Sequence, residues 1–380
     1  MIHIKKIDFN TFIKLSPRLN QLLNNSSQNN IFLTPMWLTT WLEASELVDQ
    51  SYFLIAEEEQ EIIGFAPLML QLKNWPLGKV TILSFINSSD ISADHIEFVC
   101  LKNKEQAVNK AIFNYLLNHK QDWDILSLED LPQHSPTHLL AIDSFENKYQ
   151  LHKTSGEHCP YIILNGTWDD FLAQKSKNFR QQTRSKRRKF ETKLKGTYKT
   201  CKNQQQVQRV LQKLAKFNPQ RWNKKGKKSS FSDHHFLDFH LQISYKFLEK
   251  NYLDLSYLEV DGEIIAVIYN YIYANKVYYY NTAFDPQYNA YSIGRVLMGY
   301  SIEQALQQHK VEFDFLRGIH SYKDAWTNLK RKNINLLITK RNFNSQSYNL
   351  FQKIKASLIS WVKSNVPKSI QLKIRQFLLK

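Results

Sequence analysis

Two stretches of this chain echo each other. "EIIGFAPLML" begins at Glu61 and "EIIAVIYNYI" at Glu263, about 200 residues later. The first sits in "SYFLIAEEEQEIIGFAPLMLQL", which reads as two strands around an acidic turn. The second sits in "LDLSYLEVDGEIIAVIYNYIYANKVYYYNTAF", a three-strand meander with turns at Asp261-Gly262 and Ala274-Asn275. The surroundings repeat too. "KVTILSFI" and "HIEFVC" read as further strands after the first stretch. Then comes an amphipathic helix, "KEQAVNKAIFNYLLNH", with Ala107, Ala111, Ile112, Tyr115 and Leu116 on one side, and a buried strand, "DWDILSLEDL". A helix, "IGRVLMGYSIEQALQQH", and a strand, "VEFDFL", follow the second stretch. The period is too long for a solenoid and points to a duplicated unit. The expected fold class is therefore α/β, with two related lobes in tandem. "PQHSP", from Pro132 to Pro136, marks a turn near the boundary. The lobes are expected at 1–140 and 160–345, with a basic amphipathic tail at 346–380.

Composition supports one large or two medium domains with real cores. The chain has 380 residues, 43% of them hydrophobic, and only 10 Gly and 10 Pro, which argues against a disordered or fibrous chain. A net charge of +17 attracts anions such as phosphates, nucleic acid or acidic headgroups. Three cysteines without a CxxC argue against a disulfide framework and a cysteine-based zinc site. "MIHIKKIDFN" has charges where a secretory leader needs an apolar run, and no stretch approaches a membrane span of ~18 apolar residues. The expected location is cytoplasmic. The tail, with Phe351, Ile354, Leu358, Ile359 and Val362 on one face and Lys353, Lys355 and Lys363 apart from it, either rests on the inner membrane surface or packs on the second lobe.

Two segments concentrate chemistry. "FDPQYNAYSIGRVL" (284–297) reads as a loop entering a helix near Gly294, whose free N–H groups suit an anion. Ser292 is placed to cap that helix and Arg295 adds a positive charge; Tyr291 and Asp285 belong to the same loop. "FDFLRGIHSYKDAW" (313–326) leaves a strand and releases His320, Tyr322, Lys323 and Trp326 within a few residues. Asp314 is placed to pair with Arg317. His320 suits a general base and Lys323 an oxyanion or phosphate partner. A capped helix and an aromatic cap on the core account for the same residues without a ligand. "RWNKKGKKSSF" (221–231) reads as a mobile basic loop, with Arg221 and Trp222 as substrate contacts or as plain surface. A basic helix is expected within 168–198, where Arg180, Arg184, Arg187 and Arg188 form a stripe for phosphates or a solvated face. His234, His235 and His240 lack the companions of a known metal spacing, and no metal is expected. No G-x-S-x-G supports hydrolase chemistry.

In order and spacing, "FLTPMWLTTW", "FRQQTRSKRRKFE", "RWNKKGKKSSF", "LEVDGEIIAVIYNY", "YYYNTAFDPQYNAYSIGRVL" and "FDFLRGIHSYKDAW" resemble one family. It is the BioF2-like, CelD-type acyltransferase domain of the GNAT superfamily, related to the Fem peptidyltransferases, which carry two GNAT-like lobes. The match covers about residues 30–345. "YSIG" departs from it, since the family more often has Pro before the Gly. The resemblance implies mixed, mostly antiparallel sheets and an acyl donor, usually acyl-CoA. It implies an amine acceptor, an amino sugar or an envelope or exopolysaccharide precursor. The donor would bind at Tyr291, Ser292, Gly294 and Arg295, with Arg184 and Arg188 on its phosphates. Lys323, Tyr322, His320 and Asp285 are the implied catalytic residues, with Tyr322 protonating the departing thiolate. Arg221, Trp222, Arg317 and Trp326 are the implied acceptor contacts. The first lobe is expected to lack a donor site, because no glycine-led helix follows "HIEFVC". A Fem-like donor, aminoacyl-tRNA, and a non-catalytic scaffold in polysaccharide synthesis are the alternatives.

Overall fold

Local chemistry sets the elements. Asp261, Gly262, Ala274 and Asn275 all take positive φ, the backbone a two-residue hairpin turn requires. Thr34 caps a helix through its side chain, with Pro35 in the first turn, where a missing N–H costs nothing. The computed structural model describes residues 1–86, 93–223, 231, 233–318 and 321–366. Its first half runs β1 (His3–Ile7), α1 (Phe9–Asn24), α2 (Pro35–Ala44), β2 (Ser51–Glu58), β3 (Glu61–Trp75), β4 (Gly78–Phe85), β5 (Val99–Cys100), α3 (Glu105–Asn118), β6 (Ile125–Pro132), α4 (Pro136–Phe145) and β7 (Gln150–Ile163). The second runs α5 (Trp168–Ala173), α6 (Lys177–Lys193), β8 (Thr197–Thr200), α7 (Gln204–Asn223), α8 (His234–Glu249), β9 (Leu253–Val260), β10 (Glu263–Tyr273), β11 (Lys276–Phe284), α9 (Ile293–Gln307), β12 (Glu312–Asp314), α10 (Ser321–Asp324), β13 (Lys330–Thr339) and α11 (Phe343–Asn365).

The strands form one mixed sheet, β1-β2-β3-β4-β6-β13-β7-β12-β11-β10-β9-β8, with β5 on β3 off the path. Among the described strands only β4–β6 and β11–β12 are parallel. Each half therefore makes four antiparallel strands, then a helix, then a parallel fifth strand. The sixth strands are exchanged. β7 leaves the first half to pair with β12, and β13 leaves the second half to pair with β6. β7 and β13 also pair with each other, from Pro160↔Lys330 to Gln150↔Thr339. The repeat is thus real, but its two copies are sewn into one sheet.

The halves also share a core. α2 packs on α8, where the fully buried Trp37 meets Phe239 and Tyr271 at ring separations of 4.9 and 5.3 Å. A second core covers the opposite face of the second lobe's sheet, where Phe171, Phe190, Leu297, Ile302 and Phe313 join α5, α6 and α9 to it. Burial of each such side chain stabilises by roughly 1.5–3 kcal/mol.

Several boundaries differ from the sequence reading. Of "HIEFVC" only Val99 and Cys100 are strand, and of "VEFDFL" only Glu312–Asp314. The single basic helix is two, because Ser176 caps a new start at Lys177. Arg221 and Trp222 lie within α7 rather than in a loop, and the rest of that segment up to Ser230 lies outside the described residues. α11 packs on the β3–β4 hairpin of the first lobe, where Trp75 meets Tyr348 and Phe351, both at 5.8 Å, and on β13, where Asn349 donates to Thr339 at 2.6 Å. Residues 367–380 lie outside the described residues. No helix among the described residues is long and apolar enough to cross a membrane.

Candidate active site

β11 and β12 pair only from Lys276↔Glu312 to Tyr278↔Asp314. Past Asp314 the chain swings toward β7, and the Phe315 N–H donates to the Pro160 carbonyl at 2.9 Å. The two strands part, and a cavity of about 510 Å³ opens beside β11. Tyr279, Thr282 and Phe284 of β11 form one wall, the start of α9 another, and Tyr322, Ala325 and Trp326 the third. The strand edge beyond Tyr278 faces this space instead of a neighbouring strand.

The α9 end of the cavity is built for negative charge. Ile293 and Gly294 begin the helix, and no side chain caps their N–H groups. Ser292 is not the cap predicted for it. It takes left-handed backbone (φ 54°, ψ 44°) and makes no side-chain cap bond. Gly294 matters for space, since a Cβ there would lie 3.2 Å from Phe284. Arg295 lines the cavity with its guanidinium over the Phe179 ring at 4.8 Å. Its Nη1 is buried with no hydrogen-bond partner. Burial holds the Arg295 pKa below its ordinary value.

The other strand end is less available than its sequence suggests. Lys323 is 4% exposed, and its ammonium donates to the carbonyls of Phe315, Leu316 and Arg317 at 2.8, 3.2 and 2.8 Å. That accounts for all three of its donors. Burial pulls its pKa down to about 8. Lys323 braces the end of β12 rather than facing the cavity. Tyr322 does face it, with its hydroxyl 3.2 Å from that of Tyr279. Trp326 forms the apolar floor against Phe171 and Phe179. His320 lies outside the described residues.

Behind this cavity both lobes contribute to a buried charge cluster. Arg317 pairs with Asp130 and Asp94 of the first lobe, not with Asp314 as the sequence suggested. Its backbone N–H also donates to Asp94 at 2.7 Å. Asp314 instead takes His95 at 3.1 Å and Arg331 at 3.0 Å. Burial pushes Asp130 up to about 6, with Arg317 opposing the shift. Burial works against a charged His95, but Asp314 outweighs it and the imidazole pKa rises. Next along β11, Tyr280 hydrogen-bonds His240 Nε2 at 3.1 Å, and Tyr269 lies 3.3 Å from Nδ1. His240 is fully buried among tyrosines, which drives its pKa down to about 3 and keeps it neutral.

The remaining candidates scatter. Asp285 accepts the Gln287 N–H at 2.9 Å and lines a neighbouring depression with Lys213 and Lys216. Tyr291 packs on the second core. Arg184 is exposed and bound to Asp169 at 2.9 Å, and Arg188 is exposed on α6; neither lines the cavity. Arg187 is tied to Glu191 and Glu303. Arg221 and Trp222 sit in the last turn of α7. The sequence reading missed Tyr279, Phe284 and Met298, which line the cavity, although strand alternation in "YYYNTAF" was a usable signal. No local signal marked Asp94, His95 or Asp130.

Residues 177–324 match the acetyltransferase (GNAT) domain family. A search of curated proteins finds no match for the chain. Among solved structures, a conserved protein of unknown function from Bacteroides thetaiotaomicron is similar at 11% identity and a TM-score of 0.53, covering 90% of this chain and 100% of that one. The C-terminal domain of a putative lysylphosphatidylglycerol synthetase from Agrobacterium fabrum has the same identity and TM-score, with 90% and 95% covered. FemX is similar at 12% identity and a TM-score of 0.51, with 92% and 99% covered. At such identities these likenesses speak for the fold.

Proposed function

We propose that the chain, whose residues 177–324 match the acetyltransferase (GNAT) domain family, is a GNAT-type transferase that moves an acyl group from acyl-CoA to an amine. One observation carries this reading. Arg295, whose buried Nη1 has no hydrogen-bond partner, lines the same cavity as the uncapped start of α9. An unmet buried donor costs ~1–3 kcal/mol, which a pyrophosphate oxygen would relieve. Gly294 keeps the backbone open to that anion. The pantetheine arm would run along the free edge of β11, and a strand N–H would polarise the thioester carbonyl. The amine attacks that carbon and gives up one proton to solvent, the C–S bond breaks, and the departing thiolate takes up one proton. Tyr322, held beside Tyr279, is the donor this reading favours for the thiolate. The acceptor would approach from the side of Tyr280 and the Asp94–Arg317–Asp130 cluster. Catalysis is then mainly positioning. An amino sugar or envelope polysaccharide precursor is the acceptor class favoured by the resemblance.

A second reading replaces acyl-CoA with aminoacyl-tRNA. The observation in its favour is the exposed row Arg188, Lys189 and Lys193 on α6. Thermal unfolding with acetyl-CoA, longer acyl-CoAs or bulk tRNA separates the two. A ligand bound only by the folded state raises Tm. A rise with an acyl-CoA that Gly294→Glu abolishes supports the first reading. A rise with tRNA alone that survives moderate salt supports the second. No rise with any of them leaves the scaffold role.

A further inference from the structure

α11 presents an apolar row on its outer side. Phe343, Leu350, Ile354 and Leu358 recur at spacings of seven, four and four residues, so they share one line along the helix. They are 80%, 59%, 50% and 45% exposed, and Trp361, 58% exposed, continues the line. The row spans roughly 27 Å at 1.5 Å per residue. The opposite side of the same helix is the packed one. Ser345 and Asn349 are buried there and Tyr348 rests on Trp75, while buried Val362 and Phe351, also on Trp75, border the row beside Leu358. Leu77, 69% exposed, stands at the tip of the hairpin beneath. A row this long is more than the single exposed apolar residues any surface carries.

The charge around it selects the occupant. From Lys340 to Lys380 the chain has nine Lys or Arg and no Asp or Glu. Arg341 and Lys353 are exposed beside the row. We infer that α11 lies flat on an anionic lipid surface, its apolar row in the headgroup boundary and its cations on the phosphates. A second copy of the chain fits poorly, because pairing the rows would bring two wholly cationic segments together. The row is also a convex ridge, which suits a deformable surface better than a preformed groove. This placement is independent of the identity of the acyl donor.

The test is co-sedimentation of the full chain with phosphatidylcholine vesicles, with and without phosphatidylglycerol, and without acyl-CoA. The chain is expected to pellet with the anionic vesicles and to be weakened by moderate salt. Leu350→Gln, Ile354→Gln and Leu358→Gln together leave net charge unchanged. They should weaken binding roughly tenfold or more while Tm holds. Arg341→Glu with Lys353→Glu should weaken it on anionic vesicles only. Three results overturn the inference. The triple variant could pellet like the parent, making the attraction purely electrostatic. It could lose Tm, which would mean that the row is covered within the chain. Or the parent could sediment as a dimer without lipid and the triple variant as a monomer, assigning the row to a second copy.

Discussion

The two lobes share a plan and differ at one helix start. In the second lobe the helix after the meander begins Ile293-Gly294-Arg295, uncapped and open to a cavity. In the first lobe the corresponding helix, α3, begins at Glu105, with Lys104 at its cap position making no side-chain cap bond. Glu105 brings its own negative charge to the positive end of the helix. An incoming phosphate would meet that carboxylate, whereas at α9 it would meet a guanidinium. One duplicated frame thus has an uncapped helix start free of acids in one copy and a helix start that carries a carboxylate in the other. The frame itself is shared, since each lobe borrows its last strand from the other.

The sharpest way to break this comparison is to ask whether the lobes can part. Trp37→Ala removes the central ring of the α2–α8 contact and should cost about 3–5 kcal/mol. Calorimetry should still show one transition at lower temperature. Two separated transitions would mean that the strand exchange does not couple the lobes. Next comes the helix start. Gly294→Glu should lower kcat/KM for an acyl-CoA on the order of 100-fold, while Gln106→Glu at the matching turn of α3 should leave it unchanged. Equal losses would make the asymmetry irrelevant to the donor.

A smaller effect probes the polar face behind the cavity. His240 has a folded pKa of about 3 against an ordinary 6.5. Between those values the unfolded chain binds the extra proton, so this residue makes stability fall as pH drops through that window. The slope is about 1.4 kcal/mol per pH unit. Urea unfolding from pH 6 to 4 should show His240→Gln less acid-sensitive by about that slope, and parallel curves would place the imidazole in water. The smallest expected change is Tyr322→Phe. A lost proton donor should reduce kcat about tenfold with little change in KM. An unchanged kcat would assign the leaving-group proton to another group.

Much of the fold was legible because its signals are local. Asp261-Gly262 and Ala274-Asn275 mark turns by their own conformational preferences, and Pro35 after Thr34 marks a helix start. The apolar strands of the two meanders declare the duplication. The start of α9 was legible as well, although Ser292 turned out to be strained backbone rather than a cap. Lys323 shows the limit. Its place after Tyr322 suggested a partner for an oxyanion or a phosphate, but only the fold could reveal that its ammonium donates to three carbonyls of the preceding segment.

The sequence by itself determined the repeat, the basic charge and the glycine-led helix start, because each depends on residues within one turn or one strand of each other. Only the tertiary structure decided the rest. The pairing of the two halves brought Asp94 and Asp130 to Arg317, parted β11 from β12, and set Arg295 in the wall of the cavity beside β11. Those are contacts between residues far apart in the chain, and their energies depend on burial that no short stretch can encode.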